Sequence, residues 1–282
     1  MTEIEVVSWS DFERDVVQHV THRRQELESQ NHGRRFAEPL FRGLGSSDWK
    51  LETTLERSYP MESCDSTQGL LEYYRKILAV RPSIETFTGK LWPIPDLMEF
   101  KTSLSPGDFL FDDLLRKHSG VYEYLIFLRH HGFPSPLLDW TASPYVAAFF
   151  AFDEMARTAT HVSIYALLQD TITSYSNHRP NVRVLGPYVR SHPRHMLQHS
   201  RYSVCLQVQD EEFFFVPHED ALTKAVGAEG ELIKFKLPGA ERTAALRHLD
   251  LMNINPFALF SSDDSLIRTT ARRECLFRSW NI

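Results

Sequence analysis

The chain has 282 residues, with 31 Lys plus Arg against 37 Asp plus Glu and a formal net charge of −6. A hydrophobic fraction of 42% can build a sizeable core and excludes a wholly disordered chain, while the acidic total excludes a generally basic nucleic-acid coat. Three isolated cysteines, Cys64, Cys205 and Cys275, exclude a disulfide framework or a zinc knuckle.

In chain order, the start MTEIEVVSWSDFERD lacks the basic, then apolar, pattern of a secretory signal. Ser10 and Glu13 have the S-x-x-E spacing of a capping box, and Phe12, Val16, Val17 and Val20 recur at helical spacing. This predicts an N-terminal helical segment over 1–35, fading towards Gly33, ahead of the main domain over 36–282. A short strand is predicted over 40–45. A helix over 68–80 should stop before Pro82, and 82–106, rich in proline, reads as a surface excursion. Helices follow over 108–117 and 121–131, the second stopped by Gly132. Ser143-Pro144 is a strong helix start, and the helix over 144–156 is apolar nearly all round, so it should be buried. Strands are predicted over 161–168, 202–209, 212–216 and 232–237, and helices over 240–252 and 263–273. No apolar run approaches the ~20 residues of a membrane helix; the longest, from Tyr145 to Phe152, ends at Asp153-Glu154. The expected class is α+β, a single domain in a reducing, cytoplasmic setting away from membranes.

Two motifs point to a ligand. In Phe41-Arg42-Gly43-Leu44-Gly45 the G-x-G lacks the third glycine and the following helix of a dinucleotide loop, so a Rossmann site is rejected. What remains is an arginine, a fixed fork of donors for phosphate or ribose, beside Gly43, which would let a ligand approach the backbone. The bland reading is a surface arginine in an ordinary turn. In the segment from His130 to Ala151, an apolar strand ends in Asp139-Trp140-Thr141 and turns into the helix that Ser143 caps. A helix N-terminus with clustered hydroxyls suits a phosphorylated ligand, while Asp139 and Trp140 could orient one by hydrogen bonding and stacking. Here the bland reading makes Thr141 and Ser143 caps and Trp140 core.

Phe41-Arg42-Gly43 resembles the signature of the FRG domain family, and Trp49, Leu51, Leu55 and Arg57 match what usually follows it. His130, Gly132, Pro134 and Leu137-Leu138-Asp139-Trp140-Thr141 resemble the family's central motif, and Leu259-Phe260 its usual end. The resemblance runs from Phe36 to Arg273. Arg129 and His131 depart from the family's Gln and aromatic residue, and Pro136 stands where an Arg is usual. A second resemblance is to the ADP-ribosyltransferase fold, which implies a split mixed β-sheet binding NAD in its cleft. It implies that Arg42 contacts the ribose and phosphates, and that Thr141 and Ser143 brace the first strand and the nicotinamide ribose. The usual later glutamate is replaced here by Gln198, before the strand over 202–209. Gln198 cannot act as a base, so His130, Asp139 and Glu211 are the candidate substitutes.

From Thr171 to Gln209 there are five arginines, Arg179, Arg183, Arg190, Arg194 and Arg201, and no Asp or Glu. His178, His192, His195 and His199 are interleaved, with Tyr188 and Tyr202 as stacking faces. Such a stretch suits RNA or single-stranded DNA, the NAD pyrophosphate or an acidic partner; a solvated loop is the bland reading. His192, His195 and His199 would share one helical face, but no Cys or carboxylate completes a metal set, and no metal is expected. The expectation is an NAD-using ADP-ribosyltransferase acting on a macromolecule, with nucleic acid favoured over protein. By analogy it carries a toxin or phage-defence role and a neutralising partner. The alternative is an NAD or nucleotide sensor without turnover; a nuclease is disfavoured because no carboxylate–lysine cluster is present.

Overall fold

Residues 162–168 are all buried in succession, so the strand that carries them must be covered on both faces. In the computed structural model, which describes residues 1–30, 35–58, 69–104, 119–169, 181–186, 193–210 and 212–278, this strand lies within an eight-stranded sheet. The strands are β1 (Thr2–Glu5), β2 (Leu40–Leu44), β3 (Leu138–Thr141), β4 (His161–Gln169), β5 (Asn181–Leu185), β6 (Ser200–Gln209), β7 (Glu212–Phe215) and β8 (Gly230–Pro238). Their order is β1-β8-β4-β2-β3-β6-β5, with β7 paired to β6. The β1–β8 pair is parallel and the other pairs are antiparallel, so the sheet is mixed, as expected of an α+β domain.

The sheet nearly comes apart in the middle. β2 and β4 pair along five positions and β3 and β6 along four, but β2 and β3 meet only where Phe41 faces Thr141. Beyond that pair the two strands diverge, and the gap between them is the floor of a cleft.

Helices cover the sheet. They are α1 (His19–Gln30), α2 (Thr54–Ser58), α3 (Leu70–Thr88), α4 (Leu97–Ser103), α5 (Ser119–His130), α6 (Pro144–Asp153), α7 (Pro193–Leu197), α8 (His218–Glu229), α9 (Arg242–Leu251), α10 (Pro256–Phe260) and α11 (Asp263–Arg272). On one face the N-terminal turns (Phe12, Val16, Val20), α6 and α9 share a core with Ile164 and Phe235. A second core joins α3, α4 and α5 to Tyr202, Val204 and Phe215, and a third packs Leu222 of α8 against Trp140, Tyr165 and Leu232.

Several local expectations are corrected. The Ser10–Glu13 capping box does not form: Ser8 hydroxyl donates to Asp11 at 2.8 Å, and Glu13 accepts from the Tyr145 hydroxyl. The start is 3₁₀ over Trp9–Asp11 and π-helical over Glu13–Gln18 before α1 begins. Pro82 does not end its helix. α3 runs through it to Thr88, because Pro82 is exposed and water can satisfy the carbonyl it frees, and Gly89 at φ 67° stops the helix instead. The 82–106 segment is no bare excursion: Trp92, Ile94 and Phe100 are buried, and Asp96 caps α4. The sequence pattern gives no sign of β1, β5, α2, α7, α8 or α10; residues 108–117 lie outside those described. Among the described residues no helix is long and apolar enough to cross a membrane.

Candidate functional site

A cleft of about 350 Å³ opens at the divergence of β2 and β3. Its walls include Arg42, Gly43, His130, Asp139, Trp140, Thr141 and Gln198, so seven of the residues given a catalytic or cofactor-binding role from sequence converge there. The cleft also takes in Trp49, Arg57, Arg129, Glu154 and Tyr202.

Arg42 spans the gap. Its Nη1 donates to the Asp139 carbonyl at 2.7 Å, supplying a bond where the diverging strands make none, and its Nη1 lies 3.8 Å from the Asp139 carboxylate. The side chain is 13% exposed, and its buried Nε has no hydrogen-bond partner. An unmatched buried guanidinium N–H is costly. Burial lowers the Arg42 guanidinium to about 10, with Asp139 opposing and Arg129 and Arg57 adding to the fall, so it stays charged at neutral pH.

Thr141 locks the one surviving pair. Its hydroxyl donates to the Gln198 carbonyl at 2.7 Å and accepts from Ser143 N–H at 3.1 Å. This ties the end of β3 to the turn before β6 and to the start of α6. Gln198 in turn donates its amide to the Leu259 carbonyl at 3.1 Å. It acts as a brace, with its amide engaged outside the cleft.

Asp139 is held rather than free. Arg129 grips it with two donors, Nε at 3.2 Å and Nη2 on the other oxygen, while Arg129 Nη1 reaches Thr54 Oγ1 at 3.0 Å. Burial works to raise the Asp139 carboxyl, but Arg129, Arg42 and His130 outweigh it and hold it below the usual range. Arg129, read from sequence only as a departure, thus places a guanidinium in the cleft although position 136 is proline. His130 Nε2 lies 3.2 Å from the Tyr202 hydroxyl.

Other expectations do not hold. Ser143 is not among the cleft residues; its hydroxyl accepts from Val146 N–H at 3.3 Å and caps α6. Trp140 is no stacking face: it is 2% exposed, with its indole N–H on Ser203 Oγ at 2.8 Å. Gly43 serves helix packing, not ligand approach, because a Cβ there would lie 2.7 Å from Ala151 N and closer still to the Ala147 carbonyl oxygen. The basic stretch is not one face. Arg183 pairs opposite Val204, which places it on the other side of the sheet from Arg201. Arg194 lies over the Phe260 ring at 5.3 Å, and Tyr202 is buried. His195 is buried with its ring stacked on Tyr202, and His199 is exposed in the left-handed region at φ 49°. Arg179, Arg190, His178, His192, Tyr188 and Glu211 lie outside the described residues.

Three more cleft residues have no site role in the sequence reading: Trp49 and Arg57 enter it only through the family resemblance, and Glu154 only as the end of an apolar run. Trp49, 45% exposed, presents an aromatic surface at the mouth, and Arg57 adds an exposed guanidinium. Glu154 caps the C-terminal end of α6 and has no ion pair or side-chain hydrogen bond among the described residues. An exposed tryptophan beside a polar turn was a legible signal; Glu154 was visible only as the end of an apolar run.

Three arginines and two carboxylates, with a tryptophan at the rim, line a cleft of small-ligand size in an α+β protein. Residues 37–160 match the family model of the FRG domain. The match covers less than half of the chain, is shorter than the span read from sequence, and includes every cleft residue except Gln198, Ser200 and Tyr202. No curated protein and no solved structure shows significant similarity to the chain.

Proposed function

We propose that the cleft takes NAD as substrate and that the protein is an ADP-ribosyltransferase. The observation that carries this reading is Arg42: a charged guanidinium at the split of a mixed sheet, lining a cleft of net positive charge, with its buried Nε unmatched. A diphosphate supplies the missing acceptor, and a fork of donors binds it with defined geometry. Thr141, Gln198 and the Arg129–Asp139 pair fix the cleft walls before the ligand arrives, which lowers the ordering cost of binding. In the reaction the bond between ribose C1′ and the nicotinamide nitrogen breaks, its electron pair leaves with neutral nicotinamide, and an acceptor bonds to C1′. Arg183 and Arg201 lie on opposite sides of the sheet, so the described part of the basic stretch does not favour nucleic acid over protein as that acceptor. Unrestrained, such an activity is toxic, which is why a neutralising partner or defence role accompanies this reading.

The test uses NAD labelled on its adenylate half, incubated with the protein and cell lysate beside Arg42→Ala. Label entering protein, RNA or DNA, and absent with the variant, supports the transferase and gives its acceptor class. Equal labelling by both proteins refutes the role of Arg42. A second reading, an NAD sensor without turnover, is favoured by one observation: the amide of Gln198, the residue that the sequence resemblance puts in place of the usual glutamate, is committed to Leu259. Binding of NAD without any transfer selects it.

A further inference from the structure

Among the polar side chains of the cleft, most are already committed. Asp139 is clamped by Arg129, the Gln198 amide serves Leu259, Thr141 serves Gln198, and His130 contacts Tyr202. Glu154 differs from all of these.

Its position breaks a local rule. Carboxylates are disfavoured at a helix C-terminus, where the dipole is negative and backbone carbonyls are unpaired. α6 ends with two, Asp153 and Glu154. Asp153 is compensated by Arg268 and Arg272 and is nearly buried. Glu154 has no such partner. A local violation without compensation is where a functional group is to be sought.

The fold also goes out of its way to put Glu154 there. Gly45 lies against its backbone: a Cβ at 45 would stand 2.6 Å from the Glu154 carbonyl carbon and 3.0 Å from Met155 N. Glycine at 45 lets the last turn of α6 reach the end of β2, so Glu154 shares the cleft with Arg42.

We infer that Glu154 is the catalytic carboxylate of the cleft, taking the role that Gln198 cannot fill. The inference rests on the transferase reading. As C1′ loses nicotinamide it becomes cationic, and the Glu154 carboxylate stabilises that charge. The acceptor's electron pair then forms the bond to C1′, the acceptor's proton passes to Glu154, and Glu154 releases it to water. Proton affinity fits the task. Although the side chain reaches solvent at the mouth, crowding by protein raises its carboxyl above the ordinary range; Arg42 and Arg57 pull it back, and Asp153 and Asp139 push it further. A carboxyl raised in this way is a better proton acceptor than a free one.

The experiment compares wild type, Glu154→Gln and Glu72→Gln, the last a partly exposed control on α3 outside the cleft. Each is assayed for label transfer from NAD, for NAD binding by calorimetry and for thermal unfolding. The expected result is transfer reduced about 10²-fold or more in Glu154→Gln, with NAD binding within threefold, an unchanged or higher unfolding temperature, and a fully active control. Transfer by Glu154→Gln at the wild-type rate, with wild type active, overturns the inference and leaves the transferase standing. No transfer by wild type overturns the transferase reading, and the inference with it.

Discussion

Gly43→Ala separates two uses of that glycine by a measurable amount. If Gly43 exists to let a ligand near the backbone, alanine leaves stability unchanged and harms binding alone. The structure requires the opposite. The new Cβ would stand 2.7 Å from Ala151 N and 2.9 Å from the Ala147 carbonyl carbon, where ordinary contact begins at 3.4 Å. Both obstacles are backbone atoms of α6, so no rotamer change relieves them. The helix must retreat by more than 0.7 Å from β2 at Ala151, or β2 must bend. Overpacking of this kind costs about 3 kcal/mol. For a chain of 282 residues that corresponds to a fall of roughly 5 °C in unfolding temperature. The assay is denaturant unfolding, with the thermal midpoint as a second readout. Gly132→Ala is the contrast. It meets nothing within 4 Å but sits at φ 85°, so its cost of about 1 kcal/mol is backbone strain alone. A Gly43→Ala protein within 0.5 kcal/mol of wild type, on the mutational scale of neutral surface changes, would falsify the packing of α6 across β2.

Four further outcomes are expected. Ser143→Ala loses a helix cap and about 1 kcal/mol of stability while NAD binding stays within twofold; a tenfold loss of binding would return Ser143 to the ligand. Thr141→Val removes bonds to Gln198 and Ser143 at a cost of about 1–2 kcal/mol and weakens NAD binding as well, because the split of the sheet loosens. Asp139→Asn leaves Arg129 and Arg42 without their counter-charge; breaking a buried pair costs 3–5 kcal/mol, but with Asp139 37% exposed the expected loss is about 1–2. Because the folded carboxyl of Asp139 is lowered, its contribution is fully present above the ordinary value of 3.8 and is lost as pH falls through the folded value below it. The gap between wild type and Asp139→Asn, followed by unfolding from pH 7 downwards, should therefore persist to about pH 4 and close below it. A gap unchanged at pH 2.5 would refute the Arg129–Asp139 pair as its source.

The sequence revealed the parts of the site that are local. Ser143-Pro144 marked the start of α6 because capping and a fixed φ act within one turn, and Arg42 and Thr141 stood on short strands, Thr141 at the end of its own. The partners of those residues were not legible. Gln198 was visible as a polar residue before a strand, but its amide is engaged by Leu259, 61 positions away. Arg129 read as a departure because its carboxylate partner lies across a turn, on β3. Glu154 read as the end of an apolar run, since only the approach of α6 to Gly45 brings it to the cleft. Trp140 and Tyr202 were offered as stacking faces, but two-sided burial of the sheet takes both into the core. The charge of the basic stretch was read along the chain, and strand alternation then placed Arg183 and Arg201 on opposite sides.

Calorimetric titration of wild type and Arg42→Lys with NAD and with ADP-ribose tests the proposal that Arg42 holds a diphosphate-bearing ligand through a guanidinium fork. Lysine keeps the charge and loses the Nε–H that is unmatched in the structure. Wild type should bind both ligands and Arg42→Lys should bind each at least tenfold more weakly, with unfolding midpoints that match. Equal affinities in the two proteins, or no binding by wild type, would contradict it.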